Sequence, residues 1–219
     1  MDYNQITSEL AHFFASGATR TYRRKEVIVS SYVNQDKIDW IEKGYVKVVT
    51  YTSRGDQLIY HLYGPHELFP ITIFNGMPDY PARLFDSVSF IAIGDVTVRE
   101  KTRAEYKELI AKQPQLLLQT VIQQDFIYDR LYNFTMESAM HKVAYRLLTL
   151  GTRFGVVHDD HMIINLPITI QEIADTINVS RETTGRVLSE LESKGYIMMS
   201  RKSVLVYPEP LEKMLGLQE

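Results

Sequence analysis

Arg181, Glu182 and Arg186 carry side chains suited to reading the edges of DNA bases. An arginine fork fits guanine O6 and N7, and a carboxylate accepts from cytosine N4. Ser180 and Thr183, beside them, offer hydroxyls of the kind that reach phosphate oxygens. If a helix starts after Ser180, then Val187, Leu188 and Leu191 point toward a core. Arg181, Glu182 and Arg186 then lie mainly on the outer face, where they can enter a major groove.

Such a helix needs neighbours that fix it. A first helix is expected from Thr169 to Ile177, because Ile170, Ile173, Ala174 and Ile177 repeat at the spacing of one buried face. Thr169 with Glu172 has the order of a capping box, and Asn178 suits a left-handed helix end. Val179 offers an apolar plug, and Ser180 caps the second helix. Gly185 costs helix stability, which suggests a close approach to another backbone. An ordinary amphipathic helical hairpin with solvated charges would show the same pattern over these two helices alone. The residues C-terminal to them favour a larger motif. Gly195 ends the helix, and strands at Tyr196–Ser200 and Val204–Tyr207 flank a basic tip, Arg201-Lys202-Ser203. That order predicts a winged helix-turn-helix, with the second helix on bases and the wing on phosphates.

The segment SRETTGRVLSELESKGYI resembles the recognition helix of the Crp/Fnr family of transcription regulators. The family's RETVGR core stands here as RETTGR, with Thr184 in the valine position. The resemblance implies base reading by Arg181, Glu182 and Arg186 at TGTGA-type half-sites, with Ser180, Thr183, Thr169, Gln171, Arg201 and Lys202 as further DNA contacts. Ile170 stands where the family motif has a phosphate-binding arginine. It also implies a homodimer on an inverted repeat, double-stranded DNA as partner, RNA polymerase as a further partner, and no enzymatic activity.

The chain has 219 residues, 45% hydrophobic and 23% charged, enough for two modest domains with their own cores. No apolar run approaches the ~18 residues of a membrane span, and the N-terminus lacks a secretory pattern, so a cytoplasmic protein is expected. It contains no cysteine, which excludes disulfides, thiolate catalysis and a Cys-ligated iron–sulfur cluster. The net charge of −3 does not favour a nucleic-acid partner. From Ala139 onward, 9 Lys/Arg face 10 Asp/Glu; only Arg181 to Lys202 is basic, with five cations against three acids. The electrostatic footprint is therefore local.

Along the chain, residues 2 to 16 read as an amphipathic helix with Ile6, Leu10, Phe13 and Phe14 on one side. From Thr19 to about Val98 the pattern changes to short β segments: Lys25–Val29, Lys37–Glu42, Gly44–Tyr51, Gln57–Tyr63, Ala82–Phe85, Ser87–Ile93 and Val96–Arg99, with a turn at Ser53–Asp56. This predicts a β-sandwich or jelly roll. A helix from Thr102 to Ala111 precedes a long one from Gln115 to Glu137, opened by Pro114. Leu117, Val121, Gln124, Tyr128, Leu131 and Thr135 form an imperfect a/d seam on it, a candidate dimer interface. Leu118, Ile122 and Phe126 mark a neighbouring face for packing on the chain's own β domain. Ser138 caps the next helix, through Phe154, and Gly155 to Leu166 reads as a hairpin. The expected architecture is α+β. It comprises an N-terminal β-sandwich or jelly-roll sensor resembling cyclic-nucleotide-binding domains (1–113), a long dimerisation helix (114–137) and a C-terminal winged helix-turn-helix (138–219).

In the resembled family a Gly-Glu-Leu segment and a downstream Arg-Ser pair hold the cyclic nucleotide. Here Glu67-Leu68 survives, but His66 replaces the glycine, where it would crowd the phosphate. No Arg-Ser pair occurs between Leu68 and Val98. Cyclic AMP is therefore not expected as effector, and no cofactor is expected. Glu67 and the lone Arg83 remain as candidate effector contacts, for an acidic ligand other than a cyclic nucleotide; a sensor with no ligand fits equally well.

Two other readings use the same chain. His61, His66 and Glu67 are the only seeds of a cupin-like metal enzyme, and the close His-x-His pair of such a site is absent. The winged helix can also serve as a protein-binding adaptor. His158-Asp-Asp-His161 matches no zinc spacing, and a polar hairpin tip accounts for it, so no metal site is expected.

Overall fold

The computed structural model describes residues 3–29, 36–51, 55–70 and 88–217. The strand expected at Ala82–Phe85, with Arg83, lies outside the described residues. The chain divides into two compact units, Met1–Phe126 and Ile127–Glu219.

The first unit is built on two long antiparallel strands, β3 (Lys37–Tyr51) and β6 (Ser89–Thr102), paired from Lys37↔Thr102 to Val49↔Ser89. Each was expected as two separate strands. They stay continuous because the chain absorbs the breaks as bulges between Ile41 and Tyr45. Gly44 makes this possible: it sits at φ +91°, and a Cβ there would lie 2.3 Å from the Asp95 carbonyl oxygen. On one side of the bulges β1 (Ala18–Tyr22) pairs with β6 and β5 (Leu68–Phe69) with β3. On the other side β2 (Val27–Val29) pairs with β6 and β4 (Gln57–Tyr63) with β3. One face of this sheet buries Ile41, Val46, Val48, Phe69, Phe90 and Val98 together. The other buries Ile38, Trp40 and Leu68 against helix α1 (Tyr3–Ala15), with Phe14 stacked on Trp40 at 5.8 Å. Period-2 alternation produces this two-sided burial, because Ile38 and Trp40 face the helices while Ile41 faces the sheet interior.

Helix α2 (Arg103–Lys112) starts at a capping box between Thr102 and Glu105. A single 3-10 turn, Pro114–Leu116, leads into helix α3 (Leu117–Thr135), and the boundary between the units falls within α3. The inward face of its first turns differs from the expected one. Leu118 is exposed and Ile122 half-buried, whereas Leu116, Gln119 and Thr120 are buried; Phe126 has a side chain outside the described residues. The Gln119 amide explains the rotation, donating to the His66 carbonyl oxygen at 3.1 Å and so drawing a polar position inward.

In the second unit, helix α4 (Ala139–Phe154), capped by Ser138, packs on α5 (Ile170–Ile177), α6 (Arg181–Ser193) and α7 (Pro208–Leu215). Val143, Leu147, Ile173, Ile177, Val187, Leu191 and Leu211 form its interior. The hairpin β7 (Gly155–Val157) and β8 (Met162–Ile164) joins the wing strands β9 (Ile197–Met199) and β10 (Val204–Val206) in one sheet, ordered β7-β8-β10-β9. The junction is the pairing Val204↔Ile164, which no local pattern foretells. No helix among the described residues is long and apolar enough to cross a membrane.

Candidate nucleic-acid interface

The two helices of the motif are tied down at each end. Thr169 accepts from the Glu172 N–H at 3.2 Å, and the Glu172 carboxylate accepts from the Thr169 N–H and hydroxyl at 2.9 Å each. Such a cap contributes about 1 kcal/mol. Asn178 closes α5 in the left-handed region, at φ 53°. Ser180 then opens α6, its Oγ accepting from the Thr183 N–H at 3.1 Å and donating to Thr183 Oγ1 at 3.0 Å. A linker of Asn178, Val179 and Ser180 thus sets the angle between the helices.

Helix α6 buries Thr184, Val187, Leu188 and Leu191 and leaves Arg181, Glu182 and Arg186 exposed. These three have no side-chain partner among the described residues, so their hydrogen-bonding capacity is available to a ligand. Four polar side chains of the expected set are already engaged, Ser180 and Thr183 with each other and two more at α5. Thr169 serves its cap, and the Gln171 amide donates to Asp175 at 2.6 Å.

The C-terminal end of α6 is locked by a Schellman motif. The Gly195 N–H reaches the Glu192 carbonyl at 2.9 Å, the Tyr196 N–H reaches Leu191 at 3.0 Å, and Gly195 has φ +72°. The Glu192 side chain also accepts from the Met199 N–H at 2.7 Å, fastening the wing to the helix. At the wing tip Ser200 Oγ accepts from the Ser203 N–H at 3.0 Å and from the Lys202 N–H at 3.3 Å. That turn leaves Arg201 and Lys202 exposed.

Gly185 requires a correction. A Cβ there would meet no atom within 4 Å beyond its own helix backbone, so among the described residues no other backbone approaches it. The space opens on the outer side of α6, between Arg181 and Ser189, the positions one turn away. Thr184 is an energetic feature that its place in the motif does not disclose. Its hydroxyl is fully buried and has no hydrogen-bond partner among the described residues. An unpaired buried hydroxyl costs about 1–3 kcal/mol. Thr184→Val, restoring the family's residue, is expected to stabilise the second unit by about 1 kcal/mol, or roughly 5 °C in a thermal melt followed by circular dichroism. An unchanged or lower midpoint would mean that the hydroxyl has a partner.

In the first unit, Glu67 is buried, with one carboxylate oxygen accepting from the Gly64 N–H at 2.7 Å. His66 sits at φ +70°, a conformation favoured by glycine. Its ring lies 5.8 Å from that of Trp40, which packs among the helices. His61 packs edge-on against Tyr63 at 4.4 Å. No group of three or more His, Asp or Glu among the described residues is placed to hold a metal ion.

Residues 141–214, from α4 to α7, match the Crp-like helix-turn-helix domain family. The second unit thus carries a Crp-like helix-turn-helix domain, and the chain is similar to Crp/Fnr-type transcription regulators. Its similarity to members of that family extends beyond the matched domain. It is 23% identical over 212 residues to the "Anaerobic regulatory protein" of Bacillus subtilis, covering 94% of this chain and 86% of that one. It is 26% identical over 176 residues to the "CRP-like cAMP-activated global transcriptional regulator" of Mycobacterium tuberculosis, covering 78% and 75%. The fold is that of FixK2 from Bradyrhizobium japonicum, with a TM-score of 0.75 at 22% identity over 90% of this chain and 96% of that one. Like these neighbours it has an antiparallel-sheet N-terminal domain of cyclic-nucleotide-binding-like fold and a C-terminal helix-turn-helix of the DNA-binding Crp-like type.

Proposed function

We propose that the protein is a sequence-specific regulator of transcription, not an enzyme, that binds an inverted repeat of TGTGA-like half-sites as a homodimer in the cytoplasm. The observation that carries this reading is helix α6. It holds two arginines and a glutamate, exposed and uncommitted, on the face opposite Val187, Leu188 and Leu191. Arg181, Glu182 and Arg186 read bases. Thr183 reaches phosphate, while Ser180, Thr169 and Gln171 hold the motif in shape and meet the backbone through their exposed atoms. Arg201 and Lys202 on the wing pair with phosphates across the adjacent groove. Gly185 gives the groove side of α6 no Cβ, which allows its backbone to come close to the DNA.

Dimerisation uses α3. Leu117, Val121 and Leu131 are 44%, 55% and 56% exposed in the protomer, an apolar expanse on one helix that calls for a cover. Thr135 is exposed on the same helix, and the side chains of Gln124 and Tyr128, the other seam positions, lie outside the described residues. The working division is a sensor over 1–113, the dimer helix over 114–137 and the DNA-binding domain over 138–219. RNA polymerase is the further partner such a regulator engages.

For the sensor we infer an effector other than cyclic AMP, or none. A relative is named as cAMP-activated. Here, however, the Arg-Ser pair is missing between Leu68 and Val98, and one Glu67 oxygen is engaged with the Gly64 backbone. An anion buried without charge-assisted donors binds poorly. Isothermal titration with cyclic AMP and cyclic GMP is expected to give no micromolar binding; such binding, abolished by Arg83→Ala, overturns this part. The DNA reading itself is tested by titrating labelled duplex with protein at rising salt. Phosphate contacts give a steep log–log slope, whereas a protein-binding adaptor gives no DNA affinity to screen.

A further inference from the structure

Asp39 is 5% exposed in β3, and its Oδ1 has no hydrogen-bond partner among the described residues. It stands on the same face as Ile41, turned into the sheet interior, directly across from Glu100 on β6. The two cations nearby serve Glu100 instead. Arg20 Nε lies 3.0 Å and Lys37 Nζ 3.2 Å from the Glu100 carboxylate. Among the described residues, the titratable groups facing Asp39 are thus Lys37 on its own strand, Glu100 on β6, and Arg20 and Tyr22 on β1; β5 sets Phe69 across from it. Two carboxylates side by side, with the cations committed to one, leave the other short of a positive neighbour in a desolvated place.

We propose that Asp39 is a proton-binding site that couples the folding of the N-terminal unit to pH. Burial, and secondarily the charge of Glu100, push the Asp39 carboxyl up to about 7 from an ordinary 3.8, against the weaker pull of Lys37 and Arg20. Burial also acts to raise Glu100, but the hydrogen bonds from Arg20 and Lys37 outweigh it and hold that carboxyl below its ordinary value. The folded unit therefore takes up a proton that the unfolded chain releases. Stability is greatest below the unfolded value, falls as pH rises toward 7, and levels off once Asp39 is ionised in both states.

Trp40 reports on this unit alone. It is the only tryptophan of the chain, is buried beside Asp39 and stacks on Phe14. Denaturant unfolding of the full chain, followed by Trp40 emission from pH 5 to 8.5, is compared between wild type and Asp39→Asn. The ratio of unfolding constants, wild type over variant, is expected to rise about tenfold per pH unit between pH 5 and 7 and to level off above. Glu100→Gln supplies an independent arm. It removes the opposing charge and frees Arg20 and Lys37 for Asp39, so the wild-type pH dependence shifts to lower pH. A ratio constant with pH, or a Glu100→Gln profile superimposable on the wild type, overturns the proposal.

Discussion

Leu131→Glu is expected to halve the mass of the protein in solution without unfolding it. Wild type should scatter as twice 25.4 kDa, and the variant as 25.4 kDa. The side chain is 56% exposed in the protomer, so a glutamate there costs little in an isolated chain. In a two-fold seam the same substitution buries two charges without partners, a penalty of several kcal/mol. That exceeds what a helix pair closed by Leu117, Val121 and Leu131 can offset. Without the seam, the second recognition helix is no longer tethered near its half-site, and affinity for the inverted repeat falls about 100-fold or more. Circular dichroism should be unchanged. Wild type at 25.4 kDa at working concentration, or a variant that keeps the doubled mass, would remove α3 as the interface.

Arg186→Ala is expected to weaken binding to the preferred duplex by about 1–3 kcal/mol, roughly 5- to 150-fold, and to relax the sequence preference at one base pair per half-site. Arg186 is exposed on α6 and makes no contact whose loss would disturb the fold. Lys202→Ala on the wing should behave differently, lowering affinity for all duplexes alike and flattening the log–log salt slope by about 1. Anisotropy titrations on preferred and random duplexes separate the two. Equal losses on both duplexes for Arg186→Ala would assign that residue to phosphate and take base readout away from it.

The parts legible in the sequence are those whose causes are local. Thr169 with Glu172, Asn178 and Ser180 form their caps from hydrogen bonds within four residues, so spacing alone is enough to place both helices of the motif. The apolar repeats that bury Ile173, Ile177, Val187 and Leu191 are equally visible. Features that depend on distant partners are not. β8 and β10 pair across the whole helix-turn-helix, joining two hairpins that read as separate units. The kink at Gly44 looks like a strand break, because the bulge opposite Asp95 arises only once β6 is in place. Gln119 reads as a surface residue until the His66 carbonyl accepts its amide. Asp39 carries a faint signal: in KIDWIE it shares its face with Ile41, an acid at a position where alternation calls for an apolar residue. Its consequence rests on Glu100, whose strand begins fifty residues after Asp39.

Selecting duplexes from a random pool with the 219-residue chain tests whether α6 reads DNA as one half of a two-fold pair. The expected result is enrichment of an inverted repeat with TGTGA-like half-sites whose centres lie about one helical turn apart. The same selection with Arg186→Ala should return the repeat with one position per half-site degenerate. No enrichment, or a single asymmetric element selected equally by wild type and Arg186→Ala, would contradict it.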